Sequence, residues 1–274
     1  AAAKAPEVSF EIVHAFGSRC GTGLRDAAAF ADPQGQYVVR PVGRRLCFRH
    51  ESGAATHVLE GKQVAAITAC AVSSSRSVIA VCERCTPTQA PQISLYGLLP
   101  SGDEPKDPSQ TPLRVLQDLG GVGAVSTVAF STDVEARFLV LASMPPELLL
   151  AVMDWNENTV VGRFQLATMV DRVLLSPLED GIISASGENA LQFWRLPPKW
   201  LGDAESATES DPAEAAAAAD PGQGKDLPDD ELRTLPAPQG LSEVPSVFTD
   251  HAWMVDPADG LLVASTEEGE ALVL

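Results

Sequence analysis

An all-β fold, a β-propeller of repeated four-stranded units, is what three features of this 274-residue sequence predict. Short apolar runs recur in pairs around polar turns, five times over. Each pair is preceded by one more apolar segment, and several are followed by a fourth. Equivalent places in two units, Val152 and Phe193, lie 41 residues apart. That spacing matches the roughly 40–45 residues of a propeller blade of the WD-repeat kind.

The elements follow in order along the chain. "VSFEIVHAFG" reads as a lone strand ahead of the first unit. In a propeller such a strand completes the last blade, supplied from the far end of the chain. The first unit is "AAAFA", the two runs of "DPQGQYVVRPVGRRLCFRH", and "ATHVLEG". The second is "ITACAVS", the runs of "SSSRSVIAVCERCTPTQAPQISLYGL", and "LRVLQDL". The third is "VSTVAFS", the runs of "STDVEARFLVLASMPPELLLAVMDW", and "TVVGRFQL". The fourth opens on "VDRVLLS" and continues into "SPLEDGIISASGENALQFWRLPP". The fifth is "HAWMV" followed by "DPADGLLVASTEEGEALVL".

Within the fourth unit the reading places a strand over Gly181–Ala185, a turn at Gly187–Asn189 and a strand over Ala190–Leu196. Gly and Asn tolerate the positive φ that a tight hairpin needs. Phe193 and Trp194 are core residues, each able to bury on the order of 150–250 Å².

Two connections are longer than the rest and read as insertions. One is residues 97–112, "GLLPSGDEPKDPSQTP". The other is residues 199–246, acidic, Ala/Pro-rich and expected to be disordered. Otherwise residues 1–274 read as the N-terminal part of a propeller, about four to five blades of a seven-bladed ring. The sequence stops in "EALVL", inside an apparent strand. An open propeller exposes unpaired strand edges, so a longer full-length chain is expected.

Composition narrows the function classes. The formal charge is −18, and no Lys/Arg cluster offsets it locally. Such a chain repels phosphate backbones, which argues against nucleic acid. Half of that charge lies in Leu201–Ser246, where eleven acidic residues face only Lys225 and Arg233. No stretch reaches the roughly 18 uninterrupted apolar residues of a membrane helix, since Pro145, Pro146 and Glu147 break Phe138–Met153. The opening "AAAKAPEVSF" lacks the apolar core of a secretion signal. Five scattered cysteines (Cys20, Cys47, Cys70, Cys82, Cys85) fit reduced thiols better than a disulfide framework.

No constellation of residues points to catalysis, a cofactor or a metal. Cys82-Glu-Arg-Cys85 has the spacing of a zinc knuckle, but no second pair completes four ligands. It reads as two thiols at the end of a strand and in its loop. Gly17, Gly21 and Gly23, and Gly120, Gly121 and Gly123, fit no phosphate-loop pattern and read as turns between blades. His14, His50, His57 and His251 have no ligand spacing, and Glu267–Glu268 sit in a turn as solvated charge. A propeller hydrolase is the remaining enzymatic alternative. It requires convergent acids or a Ser–His pair in the channel.

Several segments together resemble one family. "HAFG", "RPVGRRLCF", "SSSRSVIAV…PQISLYGL", "AFSTDVEARFLVLASMPPELLLAVMDW" and "DHAWMVDPADGLLVASTEEGEALVL" resemble the first WD-repeat propeller of cilia- and flagella-associated protein 57. The most specific pieces are Ser143–Pro146 with the Leu run after it, and His251–Trp253 as a His-x-Trp. The resemblance implies a non-enzymatic scaffold of the motile cilium or flagellum, in the axoneme. Its implied partners are inner dynein arm and doublet-microtubule components within a large complex, with no cofactor and no membrane. A cytosolic WD-repeat adaptor, of the trafficking or ubiquitin-ligase type, is the alternative.

Overall fold

The computed structural model describes residues 29–31, 35, 37–50, 52–53, 56–60, 64–85, 90–98, 111–133, 135–187, 190–197, 200, 232–236, 247–255 and 260–273. These form five antiparallel sheets laid one after another in chain order. The first sheet is β1 (Ala29–Phe30), β2 (Tyr37–Val42), β3 (Arg45–His50) and β4 (Thr56–Glu60). The second is β5 (Val64–Val72), β6 (Val78–Cys85), β7 (Gln92–Gly97) and β8 (Arg114–Leu116). The third is β9 (Val125–Phe130), β10 (Phe138–Ser143), β11 (Leu149–Asp154) and β12 (Thr159–Gln165). The fourth is β13 (Val170–Leu175), β14 (Ile182–Gly187), β15 (Ala190–Arg195) and β16 (Arg233–Leu235). The fifth is β17 (Phe248–Val255), β18 (Gly260–Thr266) and β19 (Ala271–Val273).

In every sheet the strands pair in sequence order, and the first strand of one sheet packs against the first strand of the next. That is the all-β, blade-by-blade propeller arrangement predicted from the repeats. Among the described residues no helix is long and apolar enough to cross a membrane. The lone strand expected in "VSFEIVHAFG" lies outside the described residues.

The reason for near-continuous apolar runs is burial on both faces. All six residues of β10 are buried. Leu139 and Leu141 face the second sheet, packing with Ala80, Cys82 and Leu95. Their neighbours Val140 and Ala142 face the fourth, packing with Val173, Ile183 and Trp194. The outermost strands are half solvated instead, as the patterns of β8, β12 and β16 show. Val152 and Phe193 lie on equivalent strands, β11 and β15, and each faces the following sheet.

A bulge recurs near the start of the innermost strand in sheets two to five. The unopposed residues are Ala65, Ser126, Asp171 and Thr249. Such bulges sharpen the local twist of a strand. The intervals between them are 61, 45 and 78 residues. The longer two contain spans 97–112 and 199–246. Most of both spans lies outside the described residues, but Arg233–Leu235 does not. It is β16, the outer strand of the fourth sheet, pairing Thr234 with Trp194. Reading 199–246 as a single insertion therefore misses a blade strand. Three residues of mixed polarity carry too little periodicity to stand out beside an acidic run.

The hairpin in the fourth unit also differs in detail. Gly187 pairs with Ala190 and belongs to β14, leaving 188–189 as the connection. The glycine is required by close approach rather than by positive φ. A Cβ there would lie 2.5 Å from the Met169 carbonyl oxygen and 2.7 Å from Val170 Cα.

Candidate functional site

Three serines end the first apolar segment of units two to four: Ser73, Ser131 and Ser176. Each is buried, and each backbone N–H donates to the carbonyl of the residue that opens the following strand. The Ser73 and Ser131 hydroxyls accept from Val78 N–H (3.1 Å) and Phe138 N–H (2.9 Å). Ser176 Oγ accepts from Leu178 and Glu179 N–H at 3.1 and 3.3 Å. These bonds satisfy turn backbone that the sheets leave unpaired.

Between the turns 131–137 and 176–181 lies a cavity of about 250 Å³, at the seam of the third and fourth sheets. Phe138, Leu175 and Leu196 form a buried apolar wall, and the half-buried Trp200 lines the same space. Exposed Asp133, Glu135 and Asp180 stand at its mouth. The turn holding two of them is built locally. Asp133 Oδ1 accepts from Arg137 N–H at 3.3 Å, its carbonyl accepts from Ala136 N–H at 3.0 Å, and Ala136 takes φ +50°.

Among the described lining residues Arg137 is the cation, and its charge is already engaged. Its Nε donates to Asp154 Oδ2 at 2.7 Å, and its guanidinium lies 4.9 Å from the Phe138 ring centre. Asp154 is buried, and its other oxygen accepts from Asn156 and Glu157 N–H at 3.0 Å each. Trp155 Nε1 donates to Ala136 O at 2.6 Å, tying that turn to its neighbour. At the fourth sheet Arg195 pairs with Glu179. Among the described lining residues the mouth is therefore net negative over an apolar floor.

A second polar cluster joins the fourth and fifth sheets. His251 is buried, with Nε2 at 2.9 Å from Ser184 Oγ and Nδ1 at 2.8 Å from Ser186 Oγ. Trp253 Nε1 donates to Ser184 Oγ at 2.9 Å. Burial pushes the imidazole pKa down to about 4, helped by the Arg172 guanidinium and opposed by Asp250 and a bond to Ser184. Arg172 and Asp250 form an ion pair across the same seam, 3.0 Å apart. The neutral ring needs one donor and one acceptor, and two hydroxyls meet both roles in either tautomer.

The hydrolase alternative asks for a Ser–His pair, and here both members are buried in the seam between two sheets. Ser184 is fully buried, and its oxygen is taken by the Trp253 indole. The far ring nitrogen meets a serine hydroxyl, not the orienting carboxylate of a triad. The cluster is an interblade tie.

The other residues singled out from sequence fall as follows. Cys82 and Cys85 both lie in β6, with Cys82 in the core, where burial pushes its thiol well up. Glu83 between them is buried and accepts from Gln92 Nε2 and Ser94 Oγ at 2.7 and 2.8 Å. Among the described residues no group of three His, Cys, Asp or Glu could hold a metal. Gly120 and Gly121 sit in the turn before β9 with φ +69° and +87°. Glu267 and Glu268 lie exposed in the turn before β19. His50 packs edge-on against Tyr37. His57 lies in β4 opposite Phe48. His14, Gly17, Cys20, Gly21 and Gly23 lie outside the described residues. The cavity has one sequence signal, the serine that closes each first segment, and the tie has another, the His251–Trp253 pair, but neither tells which side chains it meets.

The chain matches no protein-family model. It is similar to cilia- and flagella-associated protein 44 of Chlamydomonas reinhardtii, 29% identical over 157 residues, 55% of this chain and 8% of that protein. It is also similar to the protein of the same name from Trypanosoma brucei brucei, 27% identical over 169 residues, 61% of this chain and 9% of that protein. The matched stretch is thus under a tenth of either relative's length. Both relatives carry the number 44, where the motifs point to 57. At the level that these matches reach, the chain is a β-propeller segment similar to cilia- and flagella-associated proteins.

Proposed function

We propose that this chain is a non-enzymatic interaction propeller of the cilium or flagellum, part of a larger axonemal protein that helps to position or regulate the inner dynein arms. The observation that carries the reading is the coincidence of two independent facts. The sheets have propeller order, and two relatives from distant organisms are both named for cilia and flagella. Supporting it, the buried Ser–His pair with a perturbed histidine is consumed in holding two sheets together. Propellers bind partners through blade faces and turns, and this one offers a structured turn face with a cavity.

The test is a stepwise salt wash of demembranated cilia carrying the tagged full-length protein. Retention into high salt, with cross-links to dynein-arm or doublet components, is the expected result. Absence from cilia, or release with the detergent-soluble matrix, overturns the reading and leaves a general adaptor.

A further inference from the structure

We infer that the cavity between the third and fourth sheets receives a lysine or arginine side chain from a basic segment of a partner protein. The inference deepens the proposed role as a binding propeller and rests on it. Its volume, about 250 Å³, lies below the roughly 300–1,000 Å³ of small-molecule sites and suits a single long side chain.

The lining divides as such a side chain divides. Phe138, Leu175 and Leu196 offer apolar surface to a methylene stem, and Trp200 adds an aromatic ring for a cation. At the mouth, Asp133, Glu135 and Asp180 make no ion pair among the described residues. Arg137 does not cancel them, because buried Asp154 holds its guanidinium. The chain's net charge of −18 attracts basic partners and repels nucleic acid and acidic peptides over longer range.

The test is fluorescence anisotropy of a labelled hexalysine peptide titrated with the full chain, with a hexaglutamate peptide as reference. Hexalysine is expected to bind and hexaglutamate is not, with affinity falling between about 50 and 200 mM salt. The triple variant D133N/E135Q/D180N is expected to weaken hexalysine binding about tenfold or more. The variant E267Q/E268Q/E270Q removes equal charge from the turn before β19 and is expected to change it less than about twofold. W200A leaves charge unaltered and is expected to weaken binding about fivefold through the lost ring, which decides the matter if the triple variant does not fold. Equal losses in the two charge variants, or no binding by the unaltered chain, or an unaffected W200A, overturns the assignment. Because the readout is binding in solution, its failure leaves ciliary retention untested and separate.

Discussion

Phe193 and Trp194, neighbours in β15, belong to two different cores. Trp194 points back to the third sheet and meets Phe164, ring centres 5.5 Å apart. Phe193 points forward to the fifth sheet and meets Trp253 at 6.4 Å. Successive side chains on a strand take opposite faces, and in this fold both faces are covered. One dipeptide therefore ties three sheets together.

Truncating either aromatic is expected to be costly. Phe193→Ala and Trp194→Ala should each destabilise by about 3–5 kcal/mol. Because they face different sheets, their effects should add to within about 0.5 kcal/mol in urea denaturation. Strong coupling between them would contradict separate cores. Trp194 Nε1 is buried without a hydrogen-bond partner among the described residues. Trp194→Phe removes that donor and should cost only about 1 kcal/mol.

Gly187 and Gly43 make opposite demands. Gly187→Ala drives a Cβ to 2.5 Å from the Met169 carbonyl, and both crowding atoms are backbone, one just before β13 and one at its first residue. A loss of about 2–3 kcal/mol is expected. Gly43 has φ +64° and open space around it, so Gly43→Ala should cost about 1 kcal/mol through its backbone alone. Thermal melts that rank the two the other way would discount the close approach at Met169.

His251 should make stability fall with mild acid. Its folded pKa of about 4 lies below the ordinary 6.5, so below pH 6.5 the unfolded chain binds the extra proton. Stability from this group is whole above pH 6.5 and is lost as pH falls towards 4. The loss reaches about 2 kcal/mol at pH 5 and about 3 kcal/mol at pH 4. Denaturant midpoints at pH 7, 6 and 5 should decline in the unaltered chain more steeply than in His251→Gln. Parallel slopes would remove His251 as the cause.

Asp154 carries two functions that substitution can separate. Asp154→Asn keeps an oxygen for the Asn156 and Glu157 N–H groups but ends the ion pair with Arg137. Arg137 is partly exposed, so a loss of about 1 kcal/mol is expected. Asp154→Ala removes both functions and should cost about 2–3 kcal/mol. Equal melting temperatures for the two variants would show that the turn bonds contribute nothing measurable.

The legibility of the fold follows burial. Runs such as "FLVLA" in β10 are visible because both faces of a middle strand are covered. The serines at positions 73, 131 and 176 recur at the same point in three units and mark where each inner strand turns. By contrast Arg233–Leu235 is short, half exposed and set in acidic chain, and nothing local distinguishes it. The reason for Gly187 is equally hidden, since the crowding comes from a neighbouring strand.

The amino-acid sequence alone determined the repeating strand pattern, its turns and the negative charge, because each depends on residues near one another in the chain. Tertiary structure decided the rest. Ser184 and Trp253 meet across 69 residues, and the cavity gathers turns from two sheets. Local periodicity sets where a strand runs. Only the packing of one sheet on the next decides which side chains meet at the seam, and that is where the cavity and the buried histidine tie arise.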